Sequence, residues 1–169
     1  MRRRFLILAV LALATVVGGC GFKLRGAYSL PFDTLYIAFP DNTPLYSLLK
    51  RNIEASSATR VISDRKKAQA SFLVTGDLPQ KIILSLDTAG NVVEYRLQRS
   101  FSFRVVDAKN QELIPTSAIN VYRDISFSNA QVLSKQSEEA LLWRDIENDL
   151  VQQILRRLST AKLAAAEAR

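Results

Sequence analysis

The sequence predicts an α+β fold: a two-layer sandwich in which a mixed four-stranded sheet carries two helices on one face, in the order β-α-β-β-β-α. Three observations support this. Residues 92–105 alternate, with Val93, Tyr95, Leu97, Phe101, Phe103 and Val105 on one parity and Glu94, Arg96, Gln98, Ser100, Ser102 and Arg104 on the other, the signature of a sheet with one dry and one wet face. Two segments, near residues 44–56 and 137–159, carry apolar residues at helical spacing instead. Each of these elements can bury one face only, and stacking both helices on the dry face of the sheet is the simplest way to do so.

Taken in chain order, Thr34-Leu35-Tyr36-Ile37-Ala38-Phe39 is a short strand of β-favouring residues. Pro40 to Pro44 ends it. Asn42 or Thr43 can cap a helix with Pro44 in its first turn. Leu45, Leu48, Leu49, Asn52, Ile53 and Ser56 form its stripe, which weakens toward Ser56-Ser57. From Ala70 the even positions Phe72, Val74, Leu78, Ile82, Leu84 and Leu86 form one apolar parity, with Gly76 and Pro79 marking a bulge or bend. Asp87-Thr88-Ala89-Gly90-Asn91 and Asp107-Ala108-Lys109-Asn110 have turn chemistry. The last strand spans Leu113 to Phe127, with Ile119, Val121, Ile125 and Phe127 in phase. The first strand, helix and second strand imply a parallel pair, and the rest an antiparallel meander.

Two of these strands run near 15 residues, about 50 Å at 3.3 Å per residue. Ordinary helices do not cover that length, so the hairpin around residues 80–99 is expected to project beyond them. Arg99 and Arg123 fall on the dry parity and hint at where the ordinary core stops. The closing helix places Trp143, Ile146, Leu150, Ile154 and Leu158 on one stripe, which is expected to meet Phe101 and Phe103. Glu138 and Glu139 at its start and Arg156 and Arg157 at its end suit the helix macrodipole.

The N-terminus speaks to location. Arg2, Arg3 and Arg4 precede an uncharged apolar run from Phe5 to Val17, and Gly18-Gly19-Cys20 follows. A basic stretch, a short apolar stretch and small residues before a cut describe an export signal, and the run is too short to span a bilayer of about 20 residues. Residues 1–19 therefore read as a signal peptide and 20–31 as an extended lipidated leader. Residues 32–160 read as one α+β domain and 161–169 as a frayed tail. Cys20, the one cysteine in the chain, sits where a bacterial lipobox acylates its new N-terminal residue. Without the three signal arginines the excess of basic over acidic residues falls from +7 to +4. An exported, mildly basic chain with no recognition motif argues against nucleic acid and for anionic lipid, glycolipid phosphate or an acidic protein face.

The chain has no histidine. With Cys20 acylated it has no thiol either, which removes disulfides, thiolate and imidazole metal sites, Cys–His and Ser–His nucleophile pairs and histidine acid/base work. No glycine-rich phosphate loop is present, and no cofactor is implied.

Several motifs together resemble the LptE family of lipopolysaccharide-assembly lipoproteins. These are Cys20-Gly21-Phe22-Lys23-Leu24-Arg25-Gly26, Val93-Glu94-Tyr95 after the hairpin turn, Ile119-Asn120-Val121-Tyr122-Arg123, and Leu133-Ser134-Lys135 before the long helix. The resemblance extends from Cys20 to Leu158. It implies a non-enzymatic lipoprotein, anchored by its acyl chains on the periplasmic side of the outer membrane. Such a protein sits in the lumen of the barrel LptD, which it plugs and helps to assemble, and it binds lipopolysaccharide during delivery to the cell surface. Gly21 after the acylated cysteine fits outer-membrane sorting. A binder of phosphates and acyl chains needs basic residues beside apolar surface, and the candidates are Lys81, Arg96, Arg99, Arg123 and Lys135. Lys135 lies where the family has a basic residue near the start of the last helix. The family's basic residue at the hairpin tip has no counterpart in Asp87–Asn91. The competing readings are a structural adapter for another envelope complex and a lipid-anchored hydrolase; co-purification with a large barrel separates the family reading from both.

Overall fold

The computed structural model describes residues 28–127 and 132–161. Cys20, the signal segment, most of the leader and the end of the tail lie outside the described residues. Within them the elements are β1 (Thr34–Ala38), α1 (Pro44–Ser56), β2 (Arg60–Ile62), β3 (Ala70–Leu86), β4 (Val92–Asp107), β5 (Glu112–Ser126) and α2 (Val132–Leu158). A single 3-10 turn, Arg65–Lys67, links β2 to β3.

The sheet has five strands rather than four, in the order β2-β1-β3-β4-β5. The additional strand, β2, is three residues long and pairs in parallel with β1, too short to leave a periodic pattern. β1 and β3 are also parallel, whereas β3–β4–β5 is an antiparallel meander. Thr43 caps α1 as its chemistry suggests, its hydroxyl accepting from the Tyr46 amide at 3.2 Å.

The core lies between the sheet and the helices. Leu45, Leu49 and Ile53 of α1 and Ile146, Leu150, Ile154 and Leu158 of α2 are buried against the face that carries Phe72, Phe101 and Phe103. Phe72 and Phe103 stack with ring centroids 4.6 Å apart. Trp143, expected in this core, is only half-buried at its margin. The chain enters along the same layer: the Tyr28 amide donates to the Ser56 carbonyl at 2.7 Å, and Phe32 is buried.

The even-position reading of β3 fails halfway along the strand. The register slips between Val74 and Gly76, so Asp77, Pro79, Lys81 and Ile83 lie opposite Phe101, Arg99, Leu97 and Tyr95. A bulge adds one residue, and one extra residue in a period of two exchanges the faces. Phe72 and Val74 thus share the helix side with Lys81, while Leu78 and Ile82 point to the open side. β1 pairs with β3 only through Leu73. Beyond that point one edge of β3 has no partner strand among the described residues, and Pro79, which has no amide to donate, is accommodated there.

This distal half of the hairpin is the exposed part of the sheet, with Leu78, Ile83 and Leu86 more than half accessible. Its turn is closed by Asp87, whose carboxylate accepts from the amides of Ala89 and Asn91 at 2.9 and 2.8 Å. The side-chain hydrogen bond from Asn91 is the main cause that holds the Asp87 carboxyl below its ordinary pKa, with the backbone donors assisting. The tip acid is therefore a turn-former. α2 starts five residues earlier than expected, at Val132, and its additional turns lie along the projecting hairpin.

Candidate functional site

Those additional turns create the site. Between β3, β4, the end of β5 and the first half of α2 lies an open cleft of about 530 Å³, lined by Lys81, Tyr95, Phe127, Lys135, Gln136, Glu139, Ala140 and Trp143. Its origin can be read along α2. Trp143, Glu139 and Lys135 continue at four-residue steps the sheet-facing stripe that Ile146 and Leu150 begin. Toward the C-terminus that stripe is apolar and the layers close. Toward the N-terminus it is polar and they stay open. On the sheet side, Tyr95 meets Phe127 edge-to-face, with centroids 5.4 Å apart.

Two lysines from distant parts of the chain enter this aromatic-walled space. The bulge in β3 turns Lys81 toward α2, where its Nζ donates to Glu139 Oε2 at 2.6 Å and lies 4.3 Å from the Tyr95 ring centroid. Lys135 Nζ donates to Ser126 Oγ at 3.1 Å and to Glu138 Oε2 at 2.8 Å. Two ammonium groups over aromatic and aliphatic surface can hold a phosphate beside an alkyl chain. Among the described residues no nucleophile–base pair lines the cleft, and no cluster of three or more histidine, cysteine or carboxylate side chains could hold a metal.

The remaining three candidates do not join the two lysines. Arg96 lies on the opposite, open face of the sheet, in register with Ile82 and Asp124. There it makes a bidentate pair with Asp124, at 2.7 and 2.9 Å, and lies 4.4 Å from the Tyr122 ring centroid. The hydrogen bond from Arg96 is the main cause that holds the Asp124 carboxyl below its usual range.

Arg99 is on the helix side but is only 8 % exposed. Its guanidinium donates twice to Asp77, both at 2.7 Å, and once to Glu147 at 2.9 Å. Burial disfavours its charge, yet the hydrogen bonds and fields of Asp77 and Glu147 outweigh it and raise its pKa. Arg123 donates to Asp149 at 3.3 Å and to the Tyr122 carbonyl at 2.8 Å. Both dry-parity arginines are thus ties from the sheet to α2, made because the bulge brings Asp77 beneath Arg99 and α2 presents Glu147 and Asp149.

The aromatic wall escaped sequence reasoning. Alternation alone puts Tyr95 and Phe127 on the dry face, helical spacing puts Trp143 in the core, and Glu138 and Glu139 suit the helix dipole. Since α2 begins at Val132, its first turn holds no acid, and both glutamates pair with the cleft lysines instead. The signal in the sequence was the change along one stripe from Ile146 and Trp143 to Glu139 and Lys135.

The comparisons with known proteins agree with this architecture. The chain is 25% identical over 166 residues to the LPS-assembly lipoprotein LptE of Yersinia enterocolitica, covering 94% of this chain and 77% of the relative. The solution structure of an uncharacterized lipoprotein B from Nitrosomonas europaea superposes with a TM-score of 0.71 at 37% identity, covering 88% of this chain and 94% of that one. A minor lipoprotein from Acinetobacter baumannii shares the fold, with a TM-score of 0.63 at 24% identity over 77% of this chain and 92% of that one. The model of the family described as "LptE: Lipopolysaccharide-assembly" matches residues 32–158, the whole span from buried Phe32 to the last turn of α2, and the chain therefore belongs to the LptE family of non-enzymatic lipopolysaccharide-assembly lipoproteins.

Proposed function

We propose that this protein is an outer-membrane lipoprotein, acylated at Cys20, that plugs and helps to assemble the lipopolysaccharide-translocating barrel LptD. In this reading it also holds lipopolysaccharide in the cleft between the hairpin and α2 during delivery. The observation that carries the binding part is the convergence of Lys81 and Lys135 on a wall of Tyr95, Phe127 and Trp143. Lipopolysaccharide joins phosphates to acyl chains, and the cleft offers ammonium donors beside half-buried ring surface. The proposal places the ligand contacts on Lys81 and Lys135. Arg96 lies on the opposite face of the sheet, and neither Arg99 nor Arg123 lines the cleft.

Family membership supports the role in lipopolysaccharide assembly. Plugging is supported by the two exposed surfaces that the fold leaves at the hairpin, the open sheet face with Leu78, Ile82 and Tyr122 and the cleft on the other side. Both parts can be tested by isolating the full-length lipoprotein from detergent-solubilised outer membrane. The expected result is co-isolation of a large barrel protein in about equimolar amount, with lipopolysaccharide retained by the wild type and reduced for K81Q/K135Q. Recovery without a barrel would overturn the plug assignment, and equal lipopolysaccharide on both proteins would overturn the cleft.

A further inference from the structure

Each cleft lysine is occupied by a carboxylate of α2, and the two carboxylates are adjacent in sequence. Glu138 binds Lys135 at 2.8 Å and Glu139 binds Lys81 at 2.6 Å. The second pair joins residues 58 positions apart and bridges the two walls of the cleft. Glu139 Oε2 occupies a hydrogen-bonding position on the Lys81 ammonium that a ligand phosphate oxygen would take.

We infer that Glu139, assisted by Glu138, is an internal competitor whose displacement excludes amphiphiles with a single weak charge and admits one that bears a doubly charged phosphate monoester. The inference rests on the assignment of the cleft as a lipopolysaccharide site. An ammonium group has three donors, but an adjacent carboxylate repels an approaching phosphate and takes one of those donors, so binding must break or share the Lys81–Glu139 pair. A ligand with one weak charge gains too little by displacing it, whereas a doubly charged phosphate monoester gains more at the same nitrogen.

The test is a double-mutant cycle on the full-length lipoprotein in detergent, used after circular dichroism confirms that each variant folds like the wild type. The probe is bisphosphorylated lipid A in detergent micelles, with a monoanionic phosphatidylglycerol micelle as the second arm. Trp143, the one tryptophan in the chain, lines the cleft and provides the fluorescence signal. E139Q is expected to tighten lipid A binding by about two- to fivefold, the range an exposed ion pair can supply, and to tighten phosphatidylglycerol binding by no larger a factor, which brings that weaker ligand into the measurable range. In a K81Q background E139Q is expected to change neither affinity. If E139Q leaves the affinities of the wild-type background unchanged or weakens them while K135Q still lowers lipid A binding, the inference is wrong and the cleft assignment stands. If E139Q tightens binding equally with and without Lys81, Glu139 acts by general repulsion and the inference is also wrong. If lipid A neither changes Trp143 fluorescence nor responds to K81Q or K135Q, the cleft assignment fails and the inference with it.

Discussion

A Cβ built on Gly76 would lie 2.7 Å from Ser102 Oγ, so the two strands approach at the β3 bulge more closely than a side chain permits. Ser102 Oγ also accepts from Thr75 Oγ1 at 3.0 Å, and it must rotate or withdraw if Gly76 gains a methyl group. G76A is expected to cost about 1 kcal/mol, the value of the lost Thr75–Ser102 hydrogen bond, S102A about as much, and the double variant little more than either alone. Urea unfolding of the single and double variants measures both. Full additivity would show that the close approach is not the cause.

The two dry-parity arginines should differ in worth. Arg99 and its partners Asp77 and Glu147 have side chains 10%, 17% and 25% exposed, and removing the cation strands two shielded carboxylates. R99M is therefore expected to destabilise by about 3 kcal/mol, the low end for breaking a buried pair. Arg123 and Asp149 are 37% and 36% exposed, and R123M should cost less than about 1 kcal/mol. Equal losses in chemical denaturation would contradict the distinction.

Core position should matter in the same graded way. Phe103 is fully buried against Phe72, so F103A is expected to cost about 3–5 kcal/mol. Trp143 lies half-buried at the cleft mouth, and W143A should cost clearly less despite its larger ring. Thermal unfolding of the two variants side by side decides; a larger loss for W143A would return that residue to the core.

Acid should affect two surface carboxylates selectively. The pKa values of Asp87 and Asp124 are both held below the ordinary 3.8, mainly by Asn91 and by Arg96 respectively. A depressed carboxylate contributes stability that is fully present above the unfolded pKa and is lost as pH falls through the lower folded value. The melting temperature of the wild type should therefore drop below about pH 4 more than that of D87N/D124N, while both hold level between pH 5 and 7. Parallel curves below pH 4 would contradict the assignment.

These expectations mark what a linear reading could reach. β4 was legible because no bulge interrupts its alternation between Glu94 and Phe103. The Thr43 cap and the α2 stripe from Ile146 to Leu158 were legible because local chemistry determines them. The face of Lys81 was not, since the register slip between Val74 and Gly76 reverses the faces from Asp77 to Ile83, and Gly76 announced a bulge without saying which neighbours it would exchange. Nor were the partners of Arg99 and Arg123, because a charge on a dry parity names no partner. Pairing Lys81 with Glu139 and Lys135 with Ser126 required the tertiary arrangement of β3, β5 and α2. The lysines were identifiable as residue types, but their convergence was not.

The central claim, that lipopolysaccharide occupies the cleft and not the open face of the sheet, is tested most directly by photocrosslinking in living cells. A photoreactive phenylalanine analogue replaces Gln136, which lines the cleft, or Tyr122, which is exposed on the opposite face beside Arg96. The expected result is a lipopolysaccharide adduct at position 136, abolished by K81Q/K135Q, and none at position 122. Adducts at 122 with none at 136 would contradict the account.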